Sequence, residues 1–313
     1  MTPRPIVIDT DPGQDDAVAI LLALASPEDL DVVAITAVAG NVPLDRSESN
    51  ARRIVELAGR TDVPVYRGMA RPLVRESGTA EAVHGSTGLD GADLPPPTMP
   101  LTPGHGVDAI VDILRSRDPG TVTLCPLGPL TDVAAAMTRA PDVVGRIREI
   151  VLMGGGFFEG GNWTPAAEFN IWVDPHAADV VFRSGVPITM VPIDVTHKAL
   201  IEPRHLDRLR ALGTPVGDAV AGMLDFFNRY DMARYGTVGA PLHDPCVIAW
   251  LLEPDLFTGK DCSVRIETMS ELTMGMTVVD WWGLTDDPPN ARVIHDVDAE
   301  GFFDLVIERL ARL

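Results

Sequence analysis

Positive charge is scarce in this chain: 25 lysines and arginines stand against 45 aspartates and glutamates in 313 residues, a formal net charge of −20. Non-specific contact with nucleic acid or an anionic membrane needs basic patches, so such partners are not expected. The balance suits a chain kept in solution by its charge, or one that holds a cation. Cysteine is nearly absent. Cys125, Cys246 and Cys262 are odd in number and form no CxxC pair, which argues against a disulfide framework and against a thiolate zinc site. Long apolar runs are missing too. The longest, "AVAILLALA" at 17–25, is far short of a membrane span. The N-terminal "MTPRPIVIDTD" reaches its acids before an apolar signal core can form. A reduced, cytoplasmic protein is expected. No GxGxxG follows the first apolar run, which excludes a Rossmann-type dinucleotide site.

Strands and helices alternate along most of the chain. "IVIDT", "LDVVAITAVAG", "VPVYRG", "TVTLCPLG", "EIVLMGGG" and "PITMVPID" are β-branched apolar runs that predict buried strands. Between them, "DDAVAILLALASP", "PLDRSESNARRIVELAG", "GVDAIVDILRSR", "LTDVAAAMTRA" and "DPHAADVVFRSG" predict helices with start and stop signals. A loop-rich stretch, 70–104, interrupts the rhythm. The second half predicts helices at "PVGDAVAGMLDFFNRYDMARYG" and "DPCVIAWLLEP". The strand-like "CSVRIETM", "TMGMTVVDWW" and "ARVIHDV" follow, then a last helix. Such alternation with short connections predicts βαβ units: an α/β fold with an open, mainly parallel sheet flanked by helices. With no linker, repeat or low-complexity segment, one domain over 1–313 is expected.

The first strand ends in "DTDPGQDD", which crowds Asp9, Asp11, Asp15 and Asp16 into one turn. In an open parallel sheet, ligands bind at the carboxyl ends of strands. Like charges this close need something positive between them. With no histidine or cysteine in the turn, the ligands would all be oxygen, which favours Ca²⁺ or Mg²⁺. The alternative is one helix cap and three solvated acids. A strand-end DxD also suggests a haloacid-dehalogenase-type phosphatase, but that chemistry expects Thr or Val where this chain has Gly13. Asp9 is expected to point to the other side of the strand end and to act on stability.

Other predicted strand ends are polar as well. "VAGN" leaves Asn41 on the rim, "CPLGPLTD" offers the backbone carbonyls of Leu127–Leu130, and the glycines of "LMGGG" allow a ligand close to Met153. "NWTPAAEFNIWVDP" supplies Asn162, Glu168 and Asn170, donors and acceptors suited to hydroxyl groups. Taken singly, Asn162 would turn the chain, Glu168 would cap a helix, and Met153 and Trp172 would be core. "PLHDPC" sets His243 beside Asp244, itself a candidate N-cap. His84 lies in the long loop, where a surface histidine is the plain alternative.

"DTDPGQDDAVAI" resembles the signature of the inosine-uridine-preferring nucleoside hydrolase family. The likeness runs on through "VAGN", "HGSTG", "LMGGG", "AEFNIWVDP" and "HDPC" in the family's order, over nearly the whole chain. The resemblance implies an enzyme that cleaves the N-glycosidic bond of ribonucleosides with water, one bound Ca²⁺, and a homo-oligomer, dimer or tetramer. By motif, Asp11, Asp16, Asp244 and the carbonyl of Leu127 match the calcium ligands. Asp15, Asn41, Asn162, Glu168 and Asn170 match the ribose contacts, with Asp244 touching sugar and metal. Met153 and His84 join the substrate-binding set. Asp11 matches the general base, and His243 is the candidate proton donor to the departing base. The family usually carries Thr where this chain has Leu127, a change a carbonyl ligand tolerates. His84 together with His243 leans toward pyrimidine nucleosides. The segment "FFNRYDMARYG" at 226–236, with Tyr230 and Tyr235, is expected in the base pocket or its lid. A relative without turnover would be a calcium-dependent nucleoside- or ribose-binding protein; the intact acid set argues against that.

Overall fold

The first strand shows how the molecule is layered. We describe the protein from a computed structural model that covers residues 2–313, apart from the side chains of Asp231 and Tyr235. In β1 (Arg4–Thr10), Ile6 and Ile8 enter one core while Val7 enters another, on the opposite face of the sheet. This is the period of two that a strand imposes. The strands that follow are β2 (Leu30–Ala37), β3 (Val65–Arg67), β4 (Val122–Pro126), β5 (Ile147–Met153) and β6 (Ile188–Val191). Then come β7 (Phe257–Cys262), β8 (Val264–Ile266), β9 (Thr277–Val279) and β10 (Ala291–Val297). Eight of them form one sheet in the order β3-β2-β1-β4-β5-β6-β10-β7, parallel except for β7 against β10; β8 and β9 pair separately as an antiparallel hairpin.

The order reverses between β1 and β4, so the connections on either side leave a crevice at their carboxyl ends, where such sheets bind ligands. The helix Gln14–Leu24 leaves β1 at this crevice and is buried along its whole length. It is packed under the helices Pro215–Tyr235 and Pro245–Leu252. The latter has its N-terminus at Asp244, so two helix N-termini, each the positive end of a dipole, meet above β1.

The mixed sheet and its flanking helices are as expected. Three differences have physical reasons. β7 is not signalled by the sequence, because "FTGKDC" is an edge strand with mostly exposed side chains, held by main-chain pairing to β10. "PITMVPID" stops being a strand at Val191, and Ile193–Thr196 turns helical after Pro192, which cannot donate to a ladder. The helix Pro203–Arg210 was not expected either; its buried positions are only His205, Leu206 and Leu209. Among the described residues no helix is long and apolar enough to cross a membrane.

Candidate active site

β1 ends at Thr10, and the next six residues place three carboxylates differently. Asp11 lies between two glycines. A Cβ on Gly40 would stand 2.0 Å from its Oδ2, and one on Gly128 would stand 2.2 Å from its Oδ1. Neither position tolerates a side chain while Asp11 is there. Oδ2 accepts from the amide of Asn41 at 2.6 Å; Oδ1 is buried with no partner. Asp16 is the best satisfied, accepting from Thr10 Oγ1 at 2.5 Å, the Gly13 amide at 2.9 Å and Asn41 Nδ2 at 3.2 Å. Asp15, with a buried and unpartnered Oδ1, stands with Asp16 and Asp244 in a group whose oxygens lie within 4.8 Å of one another. Asp244 begins a helix but does not cap it: its side chain makes no cap hydrogen bond. The plain alternative for that residue is thus not what the structure shows.

Burial is the main cause of an upward pKa shift in Asp11, Asp15 and Asp244, with the neighbouring carboxylates adding repulsion. Asp15 is pushed up to about 8. Lys198, the lysine that lines the adjoining cavity, is turned away to Asp296 and the His295 carbonyl, at 3.0 and 2.6 Å. Among the described residues the acids have no cationic side chain as partner, and two of them keep buried oxygens without donors. Such a donor set would suit a hard divalent cation. The carbonyl of Leu127, reached from β4, accepts from Asn170 Nδ2 at 2.7 Å and retains a second lone pair.

A cavity of about 530 Å³ opens over this floor. Asp15, Asn41, Leu127, Met153, Asn162, Glu168, Asn170, His84, His243 and Asp244 all line it. Asp11 and Asp16 lie beneath, almost fully buried. Glu168 caps the helix Phe169–Val173, accepting from the amides of Asn170 and Ile171, and also from Gly155, at 2.9, 3.3 and 2.9 Å. Asn162 accepts from the Phe169 amide at 3.0 Å. Both plain readings hold, and both residues still face the cavity. Burial raises Glu168 to about 7. His84 is buried rather than on the surface, and burial lowers its pKa to about 4; His243 is lowered well below its usual range for the same reason. Its Nδ1 lies 2.6 Å from Thr196 Oγ1.

Asp9 is turned away, as expected. It continues the Val7 side of β1 and meets Asp132, near the start of the helix Thr131–Arg139. Thr36 Oγ1 donates to Asp9 at 2.6 Å and the Met69 amide to Asp132 at 2.7 Å. Oδ2 of each carboxyl is buried without a hydrogen-bond partner, and burial is the main cause that holds both pKa values up.

Sequence reasoning missed several wall residues. Trp163 and Phe169 line the cavity, and so do Glu159, His197, Thr237 and Asp194, whose carboxylate fastens the amides of Phe157, Phe158 and Glu159. No local pattern marks them. Trp172, taken as core, packs on Trp163 outside the cavity lining. Tyr230 lines the cavity, whereas the side chain of Tyr235 lies outside the described residues.

Known proteins are similar to this chain in sequence and fold. The chain is 52% identical over 310 residues to a pyrimidine-specific ribonucleoside hydrolase RihA of Photobacterium profundum, covering 98% of this chain and 99% of that one. Its fold is similar to that of a plant nucleoside hydrolase, PpNRh1, with a TM-score of 0.92, 34% identity and 99% of each chain covered. It is also similar to a purine-preferring ribonucleoside hydrolase from Gardnerella vaginalis, with a TM-score of 0.91, 32% identity and 98% of each covered. Residues 6–304 match the family described as inosine-uridine preferring nucleoside hydrolase, and the chain belongs to that family.

Proposed function

We propose that this chain, a ribonucleoside hydrolase by family, is a calcium-dependent enzyme that prefers pyrimidine ribonucleosides, giving free base and ribose. The observation that carries this reading is the pair of donorless buried oxygens on Asp11 and Asp15, directly under a cavity lined with hydroxyl-binding groups. Asp11, Asp16, Asp244 and the Leu127 carbonyl would hold the Ca²⁺. The ion would keep these acids ionised and make a nearby water more acidic.

The rest follows from the chain's own groups. Asp15, Asn41, Asn162, Glu168 and Asn170 fix the ribose, with Asp244 reaching both sugar and ion, and with Met153 against the sugar. Asp11 takes a proton from water as its oxygen bonds to the anomeric carbon. The C–N bond breaks through an oxocarbenium-like state, which an acid-rich floor stabilises. The electron pair leaves with the base, and His243 supplies the proton that the base needs. His84 and the 52% identity to a pyrimidine-specific enzyme support the base preference. The exposed Met269, Leu272, Trp282 and Leu284 support a homo-oligomer, dimer or tetramer, which light scattering would measure.

The test is ribose release from uridine, cytidine and inosine with calcium or with chelator. Calcium-dependent release, fastest from uridine or cytidine, is expected. Binding without release would make the chain a nucleoside-binding protein, and release of phosphate from a nucleotide would make it a phosphatase.

A further inference from the structure

Gln14 has no task in the proposed reaction, yet it is fully buried at the first position of its helix. Its amide makes three contacts. Nε2 donates to the carbonyl of His84 at 2.9 Å and to that of Asp90 at 3.2 Å, while Oε1 lies 2.8 Å from Nδ1 of His84. The two carbonyls settle which end of the amide is which, because an amide oxygen turned toward them would face two acceptors and lose both bonds. Oε1 therefore meets the imidazole, and an amide oxygen can only accept. Nδ1 of His84 must carry the proton. A neutral imidazole has a single N–H, so Nε2 carries a lone pair.

The surroundings hold the ring in this pose. His84 is buried and stacks on Phe227, with ring centroids 5.5 Å apart and planes inclined by 23°. A Cβ on Gly13 would stand 2.3 Å from Nδ1, so glycine is what lets the ring reach Gln14. With Nδ1 turned to Gln14, the opposite edge, which holds Nε2, is left to face the cavity that His84 lines.

We propose that Gln14 is a positioning residue that keeps His84 as the Nδ1–H tautomer, so that His84 accepts a hydrogen bond from the bound nucleoside and gives none. The tautomer follows from the contacts alone; only the identity of what donates to it rests on the nucleoside reading of the cavity. His84 is thereby removed as a proton source for the departing base. His243 differs: its Nδ1 meets the Thr196 hydroxyl, which can donate as well as accept, so its Nε2 is free to carry a proton.

The tautomer is measured by long-range ¹H–¹⁵N spectra of the calcium-loaded, ¹⁵N-labelled protein at pH 8. The His84 signals are identified among those of the seven histidines by their loss in His84→Asn. A protonated Nδ1 and a bare Nε2 are expected. Gln14→Met, of similar length but without an acceptor, should revert toward the Nε2–H form that free imidazole favours. It should also lose about tenfold in kcat/KM for uridine, the scale of one hydrogen bond. Gln14→Glu keeps an acceptor and should keep the Nδ1–H form. Asn50→Ala is the control, since Asn50 Nδ2 tethers the same loop through the carbonyls of Pro12 and Thr87, at 3.1 and 2.8 Å, without touching His84. It should leave the tautomer unchanged. A wild-type His84 protonated on Nε2, or a Gln14→Met spectrum like the wild type, overturns the proposal. So does a tautomer change in Asn50→Ala, which would assign the effect to loop packing. The expected spectra without tenfold loss in Gln14→Met would refute acceptance from the substrate. The expected spectra from a protein that releases no ribose would keep the assignment of Gln14 and refute the proposed reaction instead.

Discussion

Two groups of buried carboxyls flank the end of β1, and only one of them lies at the cavity. Asp9 and Asp132 lie on the Val7 side, with a hydroxyl and an amide as donors and a buried Oδ2 on each that has none. Neither lines the cavity, and burial raises Asp132 to about 7, so that it can be buried as the neutral acid. Asp11, Asp15, Asp16 and Asp244 gather on the other side of the turn, where two helix N-termini meet. There, donors satisfy Asp16 but leave oxygens of Asp11 and Asp15 bare. A buried acid that keeps its proton away from the cavity fits a structural role, whereas a cluster with bare oxygens under a cavity fits a ligand.

The comparison can be broken most severely at Asp11. Asp11→Ala removes the proposed base and a proposed ion contact, and kcat for uridine is expected to fall at least about 10³-fold in a protein that still folds. Near-normal turnover of the purified variant would mean that the open cluster is not the catalytic one. His243→Ala is next. About 10²–10⁴-fold should be lost on uridine, with little change on a nitrophenyl riboside, whose leaving group departs without a proton. Equal losses on both substrates would place His243 in sugar positioning.

Stability separates the two groups more gently. Calcium at about 100 times its dissociation constant should stabilise the protein by about 2.7 kcal/mol, or about 5 °C in Tm, read by calorimetry with and without chelator. Asp11→Ala should lose most of that shift and Asp132→Asn should keep it. The smallest effect is the pH dependence of Asp132. Its folded-state pKa is raised by burial to about 7, above its unfolded value. Its stabilising contribution is therefore whole below about pH 4 and is lost as pH rises toward 7. Calcium-saturated wild type should lose about 2 kcal/mol relative to Asp132→Asn between about pH 4 and about pH 5.5, with kcat changed less than about threefold. Parallel Tm curves for the two proteins would show that Asp132 does not keep its proton in the fold.

Much of the fold was legible because its signals are local. Ile6 and Ile8 alternate with Val7 through a period of two, and Pro175 and Pro245 mark helix starts. β7 was not legible, since an edge strand needs only a partner's backbone and carries no apolar pattern. In the site, the residues on strand ends were readable because topology sends every strand end to one rim. Trp163 and Thr237 were not, because they reach the cavity from loops whose contacts are remote in sequence.

The sequence by itself determined that four aspartates would crowd the end of a buried strand, and that Asn41 and Leu127 would come to the same edge. These follow from chain order and alternation, which hold whatever the packing; Asn170 and Asp244 were placed with them by the family resemblance. Only the tertiary structure decided which acids lie at the cavity and which lie away from it, and that Gln14 meets His84. Those outcomes depend on which donors 27, 63 or 70 residues away arrive within hydrogen-bond distance. Hydrogen bonds weaken steeply outside a narrow range of distance and angle, so no one-dimensional pattern encodes them.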